Sequence, residues 1–302
     1  MKILITGASG FVGQRLTKHL ELKGHSVIAC NRELVPNIEN FDWKLLLQGV
    51  EAVVHLAARV HMMNENSKDP LSTYRKTNVE ATRRLAETCV AAGVKRFIFL
   101  SSIKVNGEKT TDQPFTENDA AAPEDPYGIS KMEAEKVLVE IADRTDLEVV
   151  ILRPPLVYGP GVKANFLSLM SAIQKSRPLP VGSIRNNKRS LVFVENLVSA
   201  IEKVLVTPGL KKEIYLVADD VALSTFELCS ILKKSFRSKS ALLPIPLLFL
   251  KLTGMVLNKQ NLIDKLTGSL VVDNSKIKKA LRWSPPFSSE AGIQETANSY
   301  RG

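Results

Sequence analysis

Through the first half of the chain, five short runs of apolar and β-branched residues alternate with longer stretches whose apolar positions recur every three or four residues. The short runs, at about 2–6, 26–30, 52–56, 96–100 and 148–152, predict strands. The longer stretches, at about 11–23, 71–92 and 127–143, predict helices. Strand and helix in this alternation are the mark of parallel strands joined by crossover helices, so the expected fold class is α/β with a doubly wound parallel sheet. Only about twenty residues separate the second run from the third, too few for a full crossover unit, and one strand is expected to be vestigial there. Beyond Arg153-Pro-Pro-Leu-Val-Tyr-Gly-Pro160 the alternation decays into Pro- and Gly-punctuated pieces. That predicts a first domain over 1–155 and, over 156–302, a smaller C-terminal lobe expected to close over the sheet's carboxyl edge as the substrate-binding lobe, with room for the chain to cross back to the core.

The first turn carries chemistry. Thr6-Gly7-Ala8-Ser9-Gly10-Phe11-Val12-Gly13 follows the first predicted strand and opens the first predicted helix, the context in which a glycine fingerprint marks a dinucleotide site on a Rossmann sheet. Gly7 permits the tight turn, Gly10 lets the backbone approach a pyrophosphate, and Gly13 lets helix and strand pack closely. Phe11 and Val12 open the helix whose N–H groups meet the phosphates. An NAD site usually places Asp or Glu after the second strand to accept the ribose 2′-hydroxyl, but here the residues are Cys30-Asn31-Arg32-Glu33. Arg32 suits a 2′-phosphate, which favours NADP(H); Glu33 beside it keeps NAD(H) open.

Composition narrows the class. The chain has 302 residues, 44% hydrophobic and 24% charged, ordinary usage for a folded enzyme with a substantial core. Cys30, Cys89 and Cys229 lack metal-ligand spacing, so neither a metal site nor a disulfide framework is expected, and the cytoplasm is the expected location. The net charge of +10 is spread along the chain without interleaved aromatics, so no nucleic-acid partner is expected; the charge suits anionic small molecules. Lys233–Lys239 reads as a solvated helix end. Residues 241–258 are the most apolar part, but two prolines, a lysine and a glycine interrupt them. They read as a buried or interface helix rather than an integral membrane segment, with peripheral membrane contact left open by the basic neighbour.

After the strand ending at Leu100 come Ser101 and Ser102, and Tyr127-Gly-Ile-Ser-Lys131 opens a predicted helix. The spacing puts Tyr127 and Lys131 on one helix face. An ordinary tyrosine, with a pKa near 10, is a sluggish acid–base catalyst at neutral pH. A nearby ammonium and a helix N-terminus would both favour its phenolate, and Ser102 could hydrogen-bond the oxygen being oxidised or reduced.

With these motifs in this order, the chain resembles the extended short-chain dehydrogenase/reductases, the NAD-dependent epimerase/dehydratase group. The resemblance spans essentially the whole chain and adds His55-Leu-Ala-Ala58, Thr77-Asn78-Val79, the segment from Arg153 to Pro160, and Trp283. It implies catalytic roles for Ser102, Tyr127 and Lys131, with Lys131 also binding the nicotinamide ribose. It implies that Leu56, Ala57 and Ala58 line the cofactor channel, that Asn78 steadies the site, and that Pro154 to Leu156 flank the nicotinamide. The helices at 71–92 and 127–143 match those that pair across a two-fold axis in the group, so a homodimer is expected.

A narrower branch shares Ser101 to Glu108, Pro160 to Phe166 and Arg189-Ser-Leu-Val, and it includes 4-keto-reductases acting on UDP-linked sugars for surface polysaccharides. By that likeness Asn165 and Arg189 contact the substrate diphosphate; their bland alternatives are a helix cap and a buried salt bridge. Dehydratases of the group follow the catalytic serine or threonine with Asp-Glu. Here Ile103-Lys104 stands instead, which disfavours dehydration, and Lys104 either pairs with substrate or sits on the surface. Leu156 replaces the usual Asn, and for the arginine that grips the uridine diphosphate Lys265 is only a candidate. Three readings follow: an NADP(H)-linked reductase at C4 of a UDP-linked 4-keto-6-deoxy-hexosamine, a UDP-hexose 4-epimerase retaining NAD, and, remotely, a non-catalytic nucleotide sensor.

Overall fold

The computed structural model describes residues 1–60, 69–256 and 260–300. β1 (Lys2–Thr6) leads into α1 (Phe11–Leu22) and back to its parallel neighbour β2 (Ser26–Cys30). β3 (Ala52–His55) pairs with the other side of β1. α2 (Pro70–Arg75), a π turn (Lys76–Glu80) and α3 (Ala81–Ala91) then lead to β4 (Arg96–Leu100), and α4 (Pro126–Arg144) to β5 (Glu148–Arg153). The five expected strands are present, the third ending one residue early. The stretch expected as one helix at 71–92 is helical but bulged, and the π turn holds Asn78 and Val79 buried.

In the second half come β6 (Leu156–Tyr158), α5 (Ala164–Gln174), β7 (Leu191–Phe193), α6 (Val194–Val206) and β8 (Lys212–Leu216). β8 returns to pair with β5 and completes a parallel sheet in the order β2-β1-β3-β4-β5-β8, while β6 and β7 form a separate pair. α6 packs against α1 and β4, and Arg96 of β4 ends it by donating from Nη1 to the carbonyls of Val204 and Leu205, at 2.5 and 2.9 Å. The chain finishes with α7 (Thr225–Ser235), α8 (Leu247–Val256), α9 (Gln260–Thr267), α10 (Ser275–Leu281) and α11 (Ser289–Ser299).

The sheet is covered on both faces, as an all-parallel sheet must be. One face packs Ile3, Ile5, Val54 and Ile98 against Leu16 and Leu20 of α1 and Leu197 and Ile201 of α6. The other packs Leu4, Val53, Phe97 and Ile151 against α3 and α4. The shortened connection at residues 31–51 folds as turns with no strand. Val35, Trp43, Leu47 and Val50 sink from it into the second core, so side-chain burial replaces strand pairing there.

Residues 241–258 do not form a buried helix. α8 turns only Leu250 and Gly254 inward and leaves most of its apolar side chains exposed; 257 and 258 lie outside the described residues. Among the described residues no helix is long and apolar enough to cross a membrane.

Candidate active site

The strands' carboxyl ends, Thr6, His55, Leu100 and Arg153, lie along one edge of the sheet. The chain runs from β1 to β2 on one side and from β2 back across to β3 on the other side of β1, which makes the β1–β3 junction the place where such sheets open a crevice. Gly7 stands there at φ +69°, and a Cβ on it would lie 2.8 Å from the amide nitrogen of Ala57. A Cβ on Gly13 would lie 2.2 Å from the Gly7 carbonyl oxygen. The Gly10 amide closes the turn onto that carbonyl at 2.9 Å. α1 starts from Gly10 with no side-chain cap and no acidic residue in its first turn, so its first N–H groups and positive dipole end face the crevice unmet. Leu56, Ala57 and Ala58, all partly exposed, form the opposite lip. A cradle of backbone amides with side chains excluded on steric grounds fits a dinucleotide pyrophosphate.

At the end of β2 the Asn31 Oδ1 accepts from the amides of Glu33 and Leu34, both at 3.0 Å, and turns the chain. Arg32 and Glu33 are exposed on that turn. Glu33 reaches back toward Asn31 Nδ2 at 3.5 Å, whereas Arg32 has no ion-pair partner among the described residues.

Ser102 caps a short 3₁₀ turn, Ile103–Val105, its Oγ accepting from the Lys104 amide at 3.2 Å. The turn is fixed from below by the Ile103 amide on the Pro154 carbonyl at 2.9 Å. It also lies against the start of α4, since a Cβ on Gly128 would be 3.0 Å from the Lys104 carbonyl oxygen. α4 begins with Asp125, which accepts from the Gly128 amide at 2.7 Å, and with Pro126 in its first turn. Tyr127 and Lys131 follow one turn apart. Ser102, Tyr127 and Lys131 are therefore assembled from two elements that touch directly.

Lys131 is fully buried; its Nζ donates to the Leu100 carbonyl at 2.8 Å and lies 4.3 Å from the centre of the Phe99 ring. Burial lowers its pKa to about 7, against the opposing pull of Glu135. The half-buried Tyr127 hydroxyl is pushed up, first by desolvation and then by Asp125 and Tyr74. This runs opposite to the expectation of a lowered tyrosine. The ammonium donates to the Leu100 carbonyl and lies 5.9 Å from the centre of the Tyr127 ring, and the capping carboxylate disfavours a phenolate beside it.

Asn78 steadies the first turn of α4. Its Nδ2 donates to Ser130 Oγ at 2.9 Å and to the Arg59 carbonyl at 3.1 Å, its Oδ1 accepts from the Arg59 amide at 2.8 Å, and Ser130 Oγ donates to the Tyr127 carbonyl at 2.8 Å. Lys104 donates to Asp125 at 2.5 Å and Glu108 at 2.7 Å, so its charge locks the serine turn to the tyrosine helix. Arg189 is half-buried and donates from Nη1 to the carbonyls of Lys265 and Gly268, at 3.1 and 3.2 Å. Its partners are thus helix-end carbonyls rather than the carboxylate of a buried salt bridge. Burial lowers its pKa, and nearby Glu108 opposes this. Asn165 is exposed in the first turn of α5 and does not cap it; Lys163 is the capping position and makes no side-chain bond there. Lys265 is also exposed. No group of three His, Cys, Asp or Glu residues suited to a metal ion occurs among the described residues.

Two buried networks escaped the sequence reading. Glu135, one turn beyond Lys131, is buried with Arg153, which donates to it from Nε at 3.0 Å and from Nη2 at 2.5 Å. Ser101 Oγ also donates to Glu135, and Arg153 Nη1 donates to Asn106 Oδ1 at 2.9 Å. The available signal was the spacing: a carboxylate four residues after Lys131 shares its helix face. The second network centres on His55. Thr82 Oγ1 donates to the Asn78 carbonyl at 2.8 Å, so at 2.9 Å it accepts from His55 Nε2. Nδ1 is then the acceptor from Thr6 Oγ1 at 2.7 Å, and Thr6 Oγ1 accepts from the Ala57 amide at 3.2 Å. This chain joins the end of β1 to the helical segment that carries Asn78.

Residues 3–218 match the family described as "NAD dependent epimerase/dehydratase family". The chain belongs to that family. It is 44% identical, over 99% of its own length and 95% of the relative's, to a Vibrio cholerae protein named UDP-glucose 4-epimerase. It is 29% identical, over 92% of its length and 84% of the relative's, to an Escherichia coli O157:H7 protein named N-acetyl-alpha-D-glucosaminyl-diphospho-ditrans,octacis-undecaprenol 4-epimerase. In fold it is similar to the UDP-glucuronic acid 4-epimerase from Bacillus cereus solved in complex with NAD, with a TM-score of 0.79 at 23% identity, covering 99% of this chain and 98% of that one. This family member is thus a nicotinamide-dependent enzyme of the extended short-chain dehydrogenase/reductase type.

Proposed function

We propose that this enzyme is an NADP(H)-linked reductase acting at C4 of a UDP-linked 4-keto-6-deoxy-hexosamine. The observation that carries the choice is at the end of β2, where Arg32 stands exposed without a carboxylate partner among the described residues and Glu33 is turned toward Asn31. A 2′-phosphate would meet Arg32. When bound, a reduced nicotinamide supplies the hydride.

The chain's own residues supply the rest. Ser102 hydrogen-bonds the C4 oxygen, Tyr127 gives its hydroxyl proton to the alkoxide formed there, and Lys131 assists the tyrosine and binds the nicotinamide ribose. A tyrosine held protonated by burial and Asp125 suits that direction, because reduction needs a proton donor. Arg189 and Asn165 are the proposed diphosphate contacts. Lys104 has a positioning part as well, through Asp125 and Glu108. The absence of an Asp-Glu pair after Ser102 leaves no acid–base pair there for loss of water. The homodimer is proposed through α3 and α4, which pack side by side, and the cytoplasm as the compartment.

A UDP-hexose 4-epimerase retaining NAD is the second reading, favoured by the name of the Vibrio cholerae relative. Purified protein offered UDP-4-keto-6-deoxy-N-acetylglucosamine and NADPH should oxidise NADPH stoichiometrically. Interconversion of UDP-glucose or UDP-N-acetylglucosamine without nicotinamide consumption would replace the reductase with the epimerase. Tyr127→Phe should reduce either turnover by roughly 10²–10⁴-fold with the fold intact.

A further inference from the structure

The substrate lobe carries an apolar surface that its own fold leaves uncovered. α8 packs inward through Leu250 and Gly254, a Cβ on Gly254 falling 2.7 Å from Ile263 of α9. On the opposite side Leu248 is 67% exposed, Phe249 59%, Met255 58% and Val256 85%, with Leu252 at the centre of that face. Leu243, in the preceding loop, is exposed as well. Single exposed apolar side chains are ordinary, but a contiguous row of this kind marks a contact surface.

Its border is basic. From Leu228 to Val256 the sequence holds Lys233, Lys234, Arg237, Lys239 and Lys251 and neither Asp nor Glu. Lys233, Lys234 and Arg237 line a recess of about 480 Å³ together with Phe226 and Leu242, next in sequence to Leu243. The Lys239 amide on Ser176 Oγ at 3.3 Å, and Ser240 Oγ on the Arg177 carbonyl at 2.5 Å, bring exposed Lys175 and Arg177 to the same end. Of these cations only Lys234 meets a carboxylate among the described residues, Glu290 at 3.3 Å.

We propose that α8 and its basic border dock on the surface of an anionic lipid bilayer, the apolar row entering the headgroup–acyl boundary and the cations meeting lipid phosphates. The inference goes beyond the proposed reaction and does not rest on it. Charge decides between a membrane and a second copy of the chain. A two-fold contact through this face would set the basic border against itself, whereas an anionic surface complements it. α9, which packs on α8, ends in the carbonyls that hold Arg189, so docking would bring this wall of the substrate lobe to the membrane surface.

Co-sedimentation of the full chain with vesicles tests this, using phosphatidylcholine alone and phosphatidylcholine containing one-third phosphatidylglycerol. The protein should bind the anionic vesicles at least tenfold more tightly and be released by high salt. A triple variant, Leu248→Ser with Leu252→Ser and Met255→Ser, should lose at least tenfold in vesicle binding while keeping its circular dichroism and its turnover of soluble nucleotide sugar. Arg237→Gln with Lys239→Gln should weaken binding and flatten its salt dependence. Absence of wild-type binding to the anionic vesicles overturns the proposal, as does equal binding by the serine variant. A wild-type dimer that binds no vesicles, and that the serine substitutions dissociate in sedimentation velocity, would assign the face to self-association instead. Failure of the reductase reading would appear in the turnover assays and leave vesicle binding unchanged.

Discussion

Arg153 and Glu135 form a buried, two-pronged ion pair directly behind Lys131, with the Arg153 Nε and Nη2 on the two carboxylate oxygens at 3.0 and 2.5 Å. The pair fastens α4 to the end of β5 and, through Ser101, to the end of β4. Replacing Glu135 by Leu leaves a buried guanidinium without its counter-charge, an expected loss of about 3–5 kcal/mol measured by urea denaturation. Glu135→Gln keeps a hydrogen-bonding group and should cost less. It also removes the charge that holds Lys131 up, so the basic limb of the kcat/KM profile, where the Lys131 ammonium is lost, should move to lower pH.

Lys131 itself predicts a pH-dependent stability. Burial lowers it from 10.5 to about 7, so between those values the unfolded chain binds a proton that the folded chain has released. Stability from this group therefore rises with pH through the window from about 7 to 10.5, and the penalty is fully present below it. Lys131→Met should raise the melting temperature at pH 6 and change it little near pH 10.5, while abolishing turnover at both. A variant melting lower than wild type at pH 6 would contradict this.

His55 acts at the acid end. Burial, with a smaller contribution from the Lys131 charge, lowers it to about 3, and the folded protein keeps it neutral with the proton on Nε2. Between about pH 6.5 and 3 the unfolded chain takes up the extra proton, so unfolding becomes easier by about 1.4 kcal/mol per pH unit as the pH falls. His55→Leu should lose roughly 1–3 kcal/mol at pH 7, because the buried Thr6 hydroxyl proton is left without its acceptor, whereas Thr82 keeps its bond to the Asn78 carbonyl. The variant's acid unfolding curve should also be shallower than that of wild type.

Gly13 has no room for a side chain. A Cβ 2.2 Å from the Gly7 carbonyl oxygen must displace backbone on one side or the other. Gly13→Ala should destabilise the fold by about 1–3 kcal/mol and weaken nicotinamide binding by at least tenfold in a fluorescence titration, because the displaced loop is the one that frames the first turn of α1. Unaltered binding would place the pyrophosphate elsewhere.

Local pattern set much of this protein. Alternation of β-branched runs with helical periodicity placed five parallel strands, because buried strands and crossover helices require those periods at short range. The glycine spacing located the tight turn between β1 and α1, since the steric limits at Gly7 and Gly13 follow from the turn itself. Tyr127 and Lys131 could be paired from their spacing on a helix. Tertiary structure decided what lies beyond the reach of one turn. The return of β8 to the sheet, the partnership of Glu135 with Arg153, the chain from Thr6 through His55 and Thr82 to Asn78, and the use of Arg189 on the carbonyls of Lys265 and Gly268 all join residues far apart in sequence. Burial was likewise invisible locally. The same apolar pattern that sinks Trp43 into the core leaves Leu248 and Leu252 facing outward, because only packing against another element determines which apolar faces are covered.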